Sequence, residues 1–144
     1  MGGHEVNLLL DTNVWLLGYL GSENLPEEIR ILLDSASATF GLSAISLWEV
    51  AKKNQIGKLE LKKQLGPWLK EAVAAHINLL PLTPEIVADA RNLPDFPNRD
   101  PADQLIVATA RVHRLTLLTT DTQLKRYRHA QIRYFTPLLE KGGR

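Results

Sequence analysis

The sequence predicts an α/β fold built on a central, mostly parallel sheet of about five strands flanked by helices. Three observations carry this expectation. Short apolar runs of strand length alternate with segments of helical periodicity. The chain has 144 residues, enough for one ordinary domain around one core, so a single domain spanning 1–144 is expected. Acidic residues directly follow two of the apolar runs, and ligands bind at the carboxyl ends of strands in open sheets of this kind.

Residues 6 to 10, VNLLL, read as the first strand, and VWLLGYL as a short helix. PEEIRILLDSA reads as a second helix. Pro26 suits its first turn, where a missing N–H costs nothing, and Glu27 and Glu28 suit the positive end of the dipole. TFGLS, residues 39 to 43, is the second strand, and SLWEVAKKNQ a helix with Leu47, Val50 and Ala51 on one side, ended near Gly57. A long amphipathic helix is expected over residues 61 to 76. INLLPL gives the third strand, and TPEIVADARNL a helix capped by Thr83 with Pro84 next. PDFPNRDP is a rigid loop and PADQLIVATARVHR the strongest helix of the chain. LTLLTT is the fourth strand, TQLKRY a short helix that Asp121 could cap, and QIRYF the fifth strand.

Composition narrows the function classes. Hydrophobic residues make up 44% and charged residues 23%, which is globular and neither disordered nor membrane-like. With 17 basic against 16 acidic residues the net charge is +1, so attraction to a nucleic acid must come from local patches. The absence of cysteine excludes a disulfide framework and thiolate zinc sites, and fits the cytoplasm. The first apolar stretch is broken by Asp11 and Asn13 and lacks a basic leader, so neither a signal peptide nor a membrane span is expected there.

Asp11, Glu49, Asp100, Asp103 and Asp121 carry the functional expectation. Asp11 and Asp121 end strand-like runs, Glu49 lies near the start of a helix, and Asp100 and Asp103 open another, so all could face one crevice. Carboxylates gathered in this way repel one another and call for a cation, which points to a metal-dependent phosphodiesterase. Most of them also have a local explanation. Ser46 and Glu49 fit a capping box, Asp100 before Pro101 fits an N-cap, and Asp103 offsets the helix dipole. Asp11 has no such role open to it, and a carboxylate after four large apolar residues is costly unless it is used.

LLLDTNVWL, LSAISLWEVAKK, RDPADQLIVATA and LLTTDTQL resemble the acidic motifs of the PIN-domain nucleases, specifically the VapC-like toxins of bacterial and archaeal toxin–antitoxin pairs. The resemblance runs nearly end to end. It implies a PIN-like three-layer α/β/α fold and a ribonuclease dependent on Mg²⁺ or Mn²⁺. It further implies that Asp11, Glu49, Asp103 and Asp121 form the catalytic and metal-binding centre, with Asp100 as an accessory acid and Thr12, Asn13 and Thr120 in support. A cognate VapB-like antitoxin and a homodimer are implied as partners. Segments 14 to 36 and 47 to 70, rich in Leu, Ile, Val and Trp, offer a groove for an antitoxin helix, or simply core.

Magnesium suits such a centre because it takes oxygen ligands, keeps several waters and binds through a few carboxylates plus substrate phosphate. RNA must approach this acidic pocket past basic residues at its rim. Arg99, Lys125, Arg126 and Lys52 are candidates, with Lys53 and Arg128 beside them in sequence; solubilising surface charge is the plain alternative. Trp15 and Trp48 lie in apolar patterns that suit core or partner contacts, and Trp68 raises the same question; His76, His113 and His129 show no ligand spacing. Two other classes stay open. One is a non-catalytic module binding RNA or protein. The other is a receiver-like phosphoacceptor domain, which would want adjacent acids before Asp11 and a late Lys where Asp121 stands.

Overall fold

The structure, a computed structural model, describes residues 6–21, 23–35, 37–73 and 77–138. Among these, five strands and six helices alternate: β1 (Val6–Leu10), α1 (Thr12–Leu20), α2 (Glu27–Asp34), β2 (Thr39–Ser43), α3 (Ile45–Gln55), α4 (Leu65–Ala72), β3 (Ile77–Leu80), α5 (Pro84–Ala90), α6 (Pro101–His113), β4 (Thr116–Thr119) and β5 (Gln131–Tyr134). The sheet has the order β3-β2-β1-β4-β5 and every pair is parallel. β1 lies at its centre, covered on both faces, which is why VNLLL is almost unbroken in its hydrophobicity. β5 forms an edge, and its QIRY alternates exposed and half-buried positions.

Strand side chains alternate between faces, and two cores result. Leu10 and Leu118 meet Val14, Ile29 and Trp68 in the layer of α1, α2 and α4. Leu9 and Leu117 meet Ile106 and Val107 of α6 on the other side. α5 closes the outside of α6 through Ile86, Ala90 and Ala108. Leu9 and Leu117 are fully buried, so shortening either to Ala should cost about 2–5 kcal/mol in transfer and cavity terms. Gly21 ends α1 in the left-handed region at φ 69°, where a side chain would be strained.

Two expected elements differ from the sequence reading. The helix expected over 61–76 runs only from Leu65 to Ala72. Pro67 sets its start, because a proline tolerated in the first turn would, deeper in a helix, clash with the carbonyl four residues back. His76 and the expected end of that helix lie outside the described residues. TQLKRY forms no helix; successive turns join Leu124 N to Asp121 O and Tyr127 N to Leu124 O. This three-residue spacing sends Leu124 and Tyr127 together into the α6-side core. Among the described residues no helix is long and apolar enough to cross a membrane.

The topology creates the position for a site. From β1 the chain winds outward through β2 to β3, then returns to place β4 on the other flank of β1. Strand order therefore reverses between β1 and β4, and the crevice beyond their carboxyl ends is where such sheets bind ligands.

Candidate active site

Asp11 and Asp121 stand at this reversal, just beyond β1 and β4. The sequence offers Asp11 no local role, yet it caps α1, the helix starting at Thr12 rather than at the valine of VWLLGYL: its carboxylate accepts from the Thr12 amide at 2.9 Å, and its own amide extends the ladder to Leu118 O at 3.0 Å. Its second oxygen accepts from Thr119 Oγ1 at 2.6 Å. Thr119 Oγ1 in turn accepts the Asp121 amide at 3.0 Å, and Asp121 Oδ1 accepts from Gln123 N at 2.9 Å. A single buried hydroxyl thus ties the two strand-end acids together.

Glu49 enters from α3 and accepts a hydrogen bond from Thr12 Oγ1, which also pairs with Ser46 Oγ at 2.7 Å. Thr12 has one hydroxyl proton, so Ser46 donates to Thr12 and Thr12 to Glu49. The capping box expected of Ser46 and Glu49 does not form: Ala44 precedes α3 without a side-chain cap, and both side chains turn to Thr12 instead. The tertiary partner wins because Ser46 is fully buried and its hydroxyl must be satisfied there.

Asp103 comes from the first turn of α6, which Asp100 caps by accepting from the Ala102 and Asp103 amides at 2.9 and 3.2 Å. Asn98 donates to Asp103 Oδ2 at 3.0 Å and accepts from the Asp100 amide at 2.9 Å. The loop before α6 is thereby wound so that Asp103 faces the crevice.

Asp11, Glu49, Asp103 and Asp121 line one open pocket of about 310 Å³, with Thr12, Asn13, Lys53, Thr120 and Thr122. Asp100 lies outside it, lining an adjoining groove. Of the basic candidates only Lys53 borders the pocket, donating to Asn13 Oδ1 at 3.0 Å. Lys52 sits over the Trp48 ring and Lys125 over Tyr134; Arg99 and Arg126 are exposed and line neither pocket nor groove. Thr119, Ser46 and Asn98 are the positioning residues that sequence reasoning missed. The first needed the β1–β4 register, which pairs Leu10 with Leu118 and so sets Asp11 beside Thr119. The only local hint of the third was an Asn ahead of Asp-Pro.

Electrostatically the pocket is acidic, with Lys53 set against four carboxyl groups. Burial pushes the Asp11 carboxyl up to about 6, against the lowering bonds from Thr119 and Thr12, while Glu49 and Asp121 add repulsion. Asp103 is pushed up to about 7, first by burial and then by the charges of Asp100 and Asp11. All donors are oxygens, the set a hard divalent cation prefers. Among the described residues no three acidic or imidazole side chains are drawn close enough to grip an ion jointly as they stand.

Residues 8–130 match the family model of the PIN domain. The chain belongs to the PIN-domain family. A curated relative, Ribonuclease VapC22 of Mycobacterium tuberculosis, is 36% identical over 88 residues, covering 61% of this PIN domain's chain and 67% of its own. Solved structures share the PIN fold at lower identity. VapBC2 from Rickettsia felis, bound to a DNA fragment from its promoter, aligns with TM-score 0.65 at 18% identity, over 90% of this chain and 98% of that one. FitAcB from Neisseria gonorrhoeae aligns with TM-score 0.61 at 24% identity, over 87% and 95%.

Proposed function

We propose that this PIN domain is a cytoplasmic, divalent-metal-dependent endoribonuclease, the toxin of a toxin–antitoxin pair held in check by a VapB-like antitoxin. One observation carries the reading: four carboxylates from four separate segments face a single pocket at the reversal of strand order. The relative named as a ribonuclease, 36% identical, supports the activity, and the toxin–antitoxin complexes of like fold support the partner.

Asp11, Asp103, Asp121 and Glu49 are the residues that would hold Mg²⁺ or Mn²⁺. When bound, the ion supplies positive charge at the scissile phosphate and makes water a competent nucleophile near neutral pH. The chain's own part is to fix the acids and guide the strand. Thr119 holds Asp11 and Asp121 in register, Thr12 aims Glu49, and Asn98 aims Asp103. Lys53 at the rim supplies the positive charge that a polyanion needs on entering an acidic pocket. Asp100 acts by winding the start of α6. For the antitoxin, an apolar cleft of about 320 Å³ beside Trp15, Tyr19 and Leu33 supports a helix-binding groove between α1, α2 and α4.

The test is cleavage of a mixed RNA population with Mg²⁺ or Mn²⁺, with and without chelator, by the unmutated chain and by Asp11→Asn. Chelator-sensitive cleavage that the substitution abolishes is expected. RNA binding with no cleavage under any divalent ion would leave a non-catalytic module.

A further inference from the structure

A second groove adjoins the acid pocket, bounded by α3, the segment after β3 and the first turn of α6, with a volume of about 620 Å³. Glu49 and Lys53 line both, so the two spaces are continuous. Its wall carries Trp48. Whereas Trp15 and Trp68 are 2% and 6% exposed, Trp48 is 56% exposed although it sits on a helix whose other face is core. Lys52 Nζ lies 5.3 Å from the centre of its ring, and Lys53 and Lys58 line the same groove. Ile56 and Leu82 complete an apolar floor.

Aromatic surface and clustered ammonium groups side by side are what a single-stranded nucleic acid requires: a π-face for a base and cations for the flanking phosphates. A helix of a protein partner would want the apolar floor but not an ammonium group over the exposed ring and two further lysines along the groove. We propose that this groove is a nucleotide subsite, in which a base next to the scissile phosphate stacks on Trp48 while Lys52 and Lys58 hold the adjoining backbone. The inference rests on the nuclease reading for its substrate and makes Trp48 a positioning residue. The cation–π contact with Lys52 orients the indole before the strand arrives and leaves more than half of the residue open.

The experiment measures binding apart from cleavage, in an Asp11→Asn background, by anisotropy of a labelled short oligouridine at fixed low salt. A strand of equal length made of abasic ribose phosphates is the control. Trp48→Ala is expected to weaken the oligouridine about ten-fold and leave the abasic strand unchanged, and Trp48→Phe to restore most of the loss. Equal losses on both strands, or none, would overturn the subsite. So would light scattering showing that Trp48→Ala dissolves a dimer while strand affinity stays the same, since a second copy would then cover this face. Trp48-dependent binding without cleavage by the unmutated chain removes the nuclease reading alone; cleavage with Trp48-independent affinity removes the subsite alone.

Discussion

Thr119 donates its hydroxyl to Asp11 across 2.6 Å, although 108 positions separate them in the chain. The bond lowers the Asp11 pKa against the burial that raises it, and the same oxygen receives the Asp121 amide. Thr119→Val keeps the shape and removes both interactions. Stability should fall by about 1–3 kcal/mol for the buried groups left unpaired, and Mn²⁺ affinity by about ten-fold to 100-fold for ligands left unaligned. Denaturant melts and calorimetric titration measure the two losses; an unchanged Mn²⁺ affinity would remove Thr119 from the site.

The raised acids give a pH dependence with a definite sign. In the unfolded chain both carboxyls lose their protons near the ordinary 3.8, whereas the folded chain retains them up to about 6 at Asp11 and about 7 at Asp103. The folded state thus binds more protons in this window, and its stability contribution from these acids declines as pH climbs from 3.8 to about 7. Urea melts in chelator should show Asp103→Asn gaining stability over the unmutated chain as pH rises through that range. A gain that is constant with pH would contradict the assignment, and saturating Mg²⁺ should shrink it.

Thr12 lies between Ser46 and Glu49 and is almost fully buried. Thr12→Val should leave the fold intact at a cost of about 1–3 kcal/mol, yet lower RNA cleavage by roughly ten-fold to 100-fold because Glu49 loses its guide. Thr12→Ser keeps the hydroxyl and should retain most activity. Cleavage rates that follow stability alone across the pair would deny Thr12 any role beyond packing.

Arg111 grips both oxygens of Asp89 at 2.8 and 3.1 Å, binding α6 to α5 well away from the acids. Asp89→Asn should lower stability by about 1 kcal/mol, as expected of a bidentate pair that is mostly covered but still reached by solvent, and leave kcat and Mn²⁺ affinity unaltered. A fall in metal affinity would show that the seating of α6 on α5 sets the position of Asp103.

Much of this architecture was legible because it rests on local chemistry. Strand-length apolar runs, Thr83 and Asp100 as caps, and acids at strand ends all follow from residues a few positions apart. What was hidden is long-range. Nothing near Ser46 announces that it would abandon a cap for Thr12, and nothing near Thr119 that β1 would lie beside it. Pro67 was visible, but the apolar periodicity around it argued for a longer helix than its ring permits. Among the basic candidates, adjacency in sequence to an acid does not fix which way a side chain turns. Lys52 and Lys53 are neighbours, yet a 100° step around α3 sends one to Trp48 and the other to Asn13.

Because β4 enters the sheet beside β1 only after the intervening strands and helices have been made, the centre has no precursor in any shorter stretch of polypeptide. A ribosome must carry translation beyond codon 121 before the last carboxylate exists, and further before β5 covers the flank of β4. A product that stops short of β4 therefore carries Asp11, Glu49 and Asp103 but lacks the strand that brings Asp121 beside them.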